Sequence, residues 1–137
     1  MKYVLMFADS VQNQTVWENL PKEQMAAAYE HVNKWFEDHS KTGQIVGGEE
    51  LLGPNNSTTV RFKDGKPIVT DGPFIEAKEV IGGFAIVEVK DLDEALAMAK
   101  TWPGGGDGRI VEVRPAVDHS AEIEESRARM SETPANG

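Results

Sequence analysis

From Lys2 to Ala8 the chain is apolar at nearly every position. In a strand, successive side chains point to opposite faces, so Tyr3, Leu5 and Phe7 would point one way and Val4, Met6 and Ala8 the other. Both faces of this first strand therefore read as buried. Asp9 to Asn19 turns polar around Trp17 and reads as a loop with at most a helical turn. Pro21 suits the first position of a helix. In that helix Met25, Ala28, Tyr29, Val32, Trp35, Phe36 and His39 recur at i, i+3, i+4 spacing and predict one long buried face. Lys41 and Gly43 are its stop signals.

A second strand opens at Ile45 and runs to about Leu52, with Gly47-Gly48 predicting a bulge or a close backbone approach. Thr58 to Lys63 and Pro67 to Thr70 flank Asp64-Gly65, a strong two-residue hairpin turn, which puts Val60, Phe62 and Val69 on one face. Gly83 to Val89 is again apolar on both faces until Glu88. Asp91 as cap and Glu94 three residues on start a second helix with a stripe of Leu92, Ala95, Leu96 and Ala99. Trp102-Pro103 ends it, Gly104 to Gly108 is a loop, and Arg109 to Arg114 is a last strand closed by Pro115.

This order predicts an α+β fold, two helices on one face of a mostly antiparallel sheet. Helices on one face cannot cover strands that are apolar on both, so a second copy's sheet would supply the other cover. Residues 1–115 form the predicted domain and 116–137 an acidic polar tail. Within the tail Ser120 to Met130 reads as a marginal helix, and residues 133–137 as disordered.

Composition narrows the partners. The 137 residues carry 14 basic and 23 acidic side chains, a formal net charge of −9. A phosphate backbone or an anionic membrane needs a basic face, so direct nucleic-acid and membrane binding are not expected. Cysteine is absent, which removes disulfides, thiolate metal sites and thiol nucleophiles. No apolar run reaches membrane-spanning length and no signal-peptide core precedes Asp9, so a cytoplasmic location is expected.

Between the hairpin and the Gly83 strand lies Thr70-Asp71-Gly72-Pro73-Phe74-Ile75-Glu76-Ala77-Lys78-Glu79-Val80-Ile81-Gly82-Gly83. Gly72 can take φ > 0, Pro73 fixes its own φ, and Asp71 can bond backbone N–H groups ahead of it. Asp-Gly-Pro-Phe followed by Glu76, Lys78-Glu79 and Gly82-Gly83 resembles the signature of the DGPF proteins, a branch of the YCII-related family. Val46-Gly47-Gly48-Glu49 and Val111-Glu112-Val113-Arg114-Pro115 extend the resemblance over about residues 1–115. The resemblance implies a ferredoxin-like domain whose sheets pack face to face in a homodimer, a dimeric α+β barrel.

Asp71 and Glu76 are the candidate catalytic acid/base groups, because a carboxylate at the mouth of an apolar site can have a raised pKa. Gly72, Pro73, Phe74, Lys78 and Glu79 are the candidate ligand-binding residues, Phe74 as a wall and Lys78 to position an anion. If residues 76–79 are helical, Glu76 and Glu79 face the same way; if extended, Glu79 points away from Glu76. The plain alternative makes Asp71 a turn lock and the rest a solvated ion-pair surface. His31 and His39 lie on or beside the helical stripe, where packing or surface roles are commonest. Enzymes of the YCII group carry a histidine–aspartate dyad, and no histidine follows the first strand here or adjoins Asp71. No metal-ligand spacing, cofactor motif or nucleophile elbow is present.

Two functions follow. One is binding of a small molecule in a cleft beside the Asp71 motif, with acid/base catalysis, as the resemblance to a dehydrochlorinase-like member implies. The other is a non-catalytic regulatory module, since DGPF proteins are associated with sigma factors. A sigma-factor-related protein would then be the partner.

Overall fold

A computed structural model describes residues 1–132. Its main sheet has four antiparallel strands in the order β2-β5-β1-β6: β2 is Ile45–Glu50, β5 Glu79–Glu88, β1 Lys2–Ser10 and β6 Ile110–Pro115. Helix α2 (Lys22–Lys41) connects β1 to β2, and α3 (Leu92–Lys100) connects β5 to β6. The two strand–helix–strand units interleave, which is the ferredoxin-like topology. A second sheet holds only the hairpin β3 (Thr58–Lys63) and β4 (Lys66–Asp71). The predicted register is observed, with Val60 opposite Val69 and Phe62 opposite Pro67. Asp64 (φ 53°) and Gly65 (φ 76°) make the two-residue turn.

The core lies on one face of the main sheet. Tyr3 and Leu5 from β1, Ala85 and Val87 from β5 and Ile45 from β2 meet Trp35 of α2 and Ala95 and Met98 of α3. Leu5 and Val87 are fully buried. The Trp35 indole N–H donates to Thr101 Oγ1 at 2.9 Å, fastening α2 to the end of α3. On α3 the buried side chains are Ala95 and Met98; Leu92, predicted in the stripe, is exposed. The predicted cap holds: the Asp91 carboxylate accepts from the Glu94 N–H at 3.0 Å, while Glu94 reaches back to the Lys90 N–H at 2.9 Å. Gln44 donates to the same Glu94 carboxylate, at 3.0 Å.

Two segments differ from expectation. Residues Val11–Glu18 form a helix, α1, where a loop was expected. Ser10 caps it, its Oγ accepting from the Asn13 N–H at 3.0 Å. This start signal is the cap itself, since α1 carries no continuous apolar stripe and buries no residue. Pro21 occupies the cap position of α2, with Lys22 its first residue. The tail forms α4 (Ser120–Glu132), exposed throughout. The expectation for residues 133–137 lies outside the described residues.

Bulges shape the sheet where it leaves the core. The β1–β5 register shifts between Phe7 and Ala8, which leaves Gly82 as the extra residue of β5. The β2–β5 register shifts between Ile45 and Gly47. Such bulges bend a strand and re-aim its side chains. At Gly48 (φ 151°) a Cβ would stand 2.5 Å from the Phe84 carbonyl oxygen, which is why the close approach there requires glycine.

Candidate functional site

The predicted long face of α2 buries only Trp35 completely. Toward its N-terminal half, Ala28, Tyr29 and Val32, with Phe36 at the inner end, roof a cavity of about 360 Å³. That volume suits a small organic molecule. Phe7, Ala8, Val80, Gly82 and Gly83 form its floor. Gln14 and Trp17 of α1 close one side, and Trp102, Pro103, Gly104 and Arg109 another.

Five aromatic rings line the space: Phe7, Trp17, Tyr29, Phe36 and Trp102. Phe7 stacks on Trp102 with centroids 3.9 Å apart and planes at 20°. Trp102 also meets Trp35 edge-on at 5.2 Å and Phe36 at 6.0 Å. Trp17 meets Tyr29 edge-on at 5.3 Å. These contacts preset the rings, so the wall is formed before a ligand arrives.

Polar groups enter at defined places. Asp9 ends the apolar run of β1 and is half-buried. Its Oδ1 accepts from the Ser10 N–H and the Asn13 amide, each at 2.8 Å, and its Oδ2 lies 3.2 Å from Arg109 Nε. Arg109 also donates from Nη1 to the Gly104 carbonyl at 2.7 Å. Asp9 thus fastens the start of α1 and the start of β6 to one rim. The Tyr29 hydroxyl donates to Glu50 Oε1 at 2.6 Å. Partial burial first, and then that hydrogen bond to a carboxylate, push the phenol above its usual pKa, so Tyr29 stays a neutral donor. Glu49 and His31 complete the polar part of the lining.

The predicted site residues sit elsewhere. Asp71, Pro73, Phe74, Glu76, Lys78 and Glu79 are exposed, Gly72 is half-buried, and none of these residues lines the cavity. Gly72 has φ 95° with open space where a Cβ would be, so its requirement is conformational, not steric. Among the described residues the turn is held by the Gly72 N–H to Ser57 O (2.8 Å), Thr59 Oγ1 to Gly72 O (2.6 Å) and Arg61 Nη2 to Phe74 O (2.5 Å). The Asp71 carboxylate takes no part in those bonds. Glu79 opens β5, so the extended alternative holds at that residue. The motif does reach the site by its backbone: Lys78 O accepts from the Val11 N–H at 2.9 Å, Glu79 pairs with Ser10, and the next residue, Val80, lines the cavity.

Sequence reasoning missed Asp9, Glu49, Glu50, Trp102 and Arg109. Asp9 carries a signal, an acid directly after a strand whose sequence is apolar on both faces; Trp102, before Pro103, reads in the sequence as a helix stop. Among the described residues, no group of three or more His, Asp or Glu side chains is placed to hold a metal ion. No helix among them is long and apolar enough to cross a membrane.

Fold and site together define a ferredoxin-like α+β domain with an aromatic-walled cavity between its longest helix and the sheet. The chain belongs to the YCII-related domain family, whose model matches residues 1–118. It is 28% identical over 116 residues to an uncharacterized protein of Rhizobium meliloti (strain 1021), spanning 84% of this chain and 91% of that one. Among solved structures it is similar to 5-chloro-2-hydroxyhydroquinone dehydrochlorinase from Burkholderia phenoliruptrix AC1100, determined with 2,5-dihydroxybenzoquinone. That match has a TM-score of 0.48 and 18% identity, and covers 89% of this chain and 98% of the other.

Proposed function

We propose that this protein binds a small planar molecule in the cavity under α2 and can move a proton on it. The carrying observation is that five preset aromatic rings converge on about 360 Å³ together with an imidazole, a neutral phenol and carboxylates. Rings hold a flat ligand by stacking and edge contacts. His31 is the proton carrier of this reading, since its imidazole lines the cavity and its two ring nitrogens can give and take a proton. Tyr29, its one O–H hydrogen given to Glu50, presents its oxygen as an acceptor to a ligand hydroxyl, and Asp9, tied to Arg109, orients the rim. Asp71 and Glu76 belong to the same reading as acid/base groups of the outer mouth. There Gly72, Pro73, Phe74, Lys78 and Glu79 frame the entrance, a role supported by the Lys78–Val11 bond.

The test is calorimetric titration with a panel of hydroxylated benzenes against the same panel of saturated rings. Aromatic ligands binding at least tenfold more tightly, with loss of that preference in Phe36→Ala, is the expected result. Equal binding of both panels, or none, overturns the reading. His31→Ala should then abolish proton exchange on a bound ligand while keeping affinity; Asp71→Asn and Glu76→Gln ask the same of the mouth. The reading includes a cytoplasmic homodimer joined through the sheet face opposite the core, supported by the half-open apolar pairs Val4–Ile86 and Met6–Phe84.

A second reading, a regulatory module that captures a sigma-factor-related protein, is supported by α4. Its Glu122, Glu124 and Glu125 and its Ile123 and Met130 are all exposed. Loss of sigma-factor capture on removing residues 116–137 would support it, and capture unchanged by that removal would count against it.

A further inference from the structure

The β3–β4 hairpin stands apart. Among the described residues its strands pair only with each other, and none of its residues is buried. Its register sorts the side chains: Val60, Phe62, Pro67 and Val69 share one face, and Arg61, Ile68, Lys63 and Lys66 share the other. On the apolar face Phe62 is 77% exposed, Val69 65% and Val60 51%, and at the base Phe74 is 70% exposed. An isolated two-stranded hairpin is at best marginally stable in water. One that also turns an apolar face outward calls for a covering surface.

We propose that a second copy of this chain covers that face, each copy's hairpin lying as an arm across the other. Charge favours this occupant. The hairpin carries three of the 14 basic residues and two of the 23 acidic ones, a net +1 on a chain of −9. A like copy therefore offers the arm an acidic body, whereas nucleic acid or an anionic bilayer would be repelled by that body. Area favours it as well. Aromatic side chains carry roughly 150–250 Å² each, so the arm exposes on the order of 400 Å² of apolar surface. Two reciprocal arms, each covering a like area on the partner, bury about 1,600 Å² in all, the size of a standard stable interface. The arm also springs from the cavity's edge: β2 ends and β5 begins with residues that line the cavity or adjoin it. Pairing of the arms thus fixes the Asp71–Lys78 segment at each mouth. The inference extends the homodimer reading, from which it is separable by experiment.

Sedimentation of the full chain from 1 to about 100 µM separates the outcomes. Wild type should be a dimer. Phe62→Asp should weaken it at least tenfold while leaving the circular dichroism of the isolated chain unchanged, since Phe62 is 77% exposed and lies outside the core. Lys63→Glu with Lys66→Glu should weaken it too, more at low salt than at high. A dimer that withstands Phe62→Asp but dissociates in Ile86→Lys overturns the arm and keeps the sheet-face dimer. A wild-type chain monomeric at 100 µM overturns both. A monomer that floats with vesicles of phosphatidylserine, and ceases to in Phe62→Asp, overturns the second copy as occupant.

Discussion

Replacing Trp102 with alanine is the sharpest test of how the cavity is held. The indole joins three rings, stacked on Phe7 at 3.9 Å and edge-on to Trp35 and Phe36 at 5.2 and 6.0 Å. Each such pair contributes about 0.5–1.5 kcal/mol beyond simple burial. A fully buried Trp→Ala change costs about 3–5 kcal/mol. Trp102 is half-buried, which puts the expected loss near 3 kcal/mol, toward the low end of that range. In a domain of this size that lowers the melting temperature by on the order of 10 °C. Urea unfolding followed by far-ultraviolet circular dichroism measures the loss directly. Trp17→Ala is the comparison, because Trp17 meets Tyr29 as its ring neighbour and should cost about 1 kcal/mol. A loss below about 1 kcal/mol for Trp102→Ala, or one no larger than that of Trp17→Ala, refutes the view that Trp102 ties the end of α3 to α2 and the sheet.

Three further outcomes are expected. Gly48→Ala should cost more than about 2 kcal/mol in urea unfolding, since both its backbone conformation and the Phe84 carbonyl oppose a Cβ; a neutral result would mean that β2 shifts freely. Glu94 is held below the usual carboxylate range, first by the Lys90 N–H and then by Gln44. Its ionised form therefore adds stability that is present above the ordinary glutamate pKa and fades as pH falls through its lowered folded value. Unfolding curves of wild type and Glu94→Gln should accordingly converge as pH drops from 7 to about 3. Tyr29→Phe should change stability by less than about 1 kcal/mol, because its bond to Glu50 is exposed. In the same variant the phenolate absorbance step expected of wild-type Tyr29 above the normal tyrosine range should be missing.

The sheet and helices were legible because their signals are local. A continuous apolar run placed β1, the Asp64-Gly65 turn fixed the hairpin register, and Asp91 with Glu94 set the start of α3. The core stripe of α2 was legible as a pattern but not as a depth. Periodicity says that Tyr29, Val32 and Phe36 share a face with Trp35; it cannot say that only Trp35 is fully buried while all three of the others line a hollow. Helix α1 escaped because eight residues without a stripe give only a cap. The motif at Asp71 was read as a site for its constrained turn and clustered charge. That turn is real, and its bonds run through Ser57, Thr59 and Arg61, while the cavity is assembled from residues such as Asp9, Tyr29 and Trp102, far apart in sequence. Only the ferredoxin-like winding brings those together.

The uneven seating of α2 has a mechanical corollary. Its C-terminal half is clamped, with Trp35 buried and bonded to Thr101; its N-terminal half bridges empty space. Amides from Met25 to Val32 should exchange with deuterium faster than those around Trp35, and slow down once a guest fills the gap beneath them. The helix would then report occupancy as a gradient of stiffness along its own length.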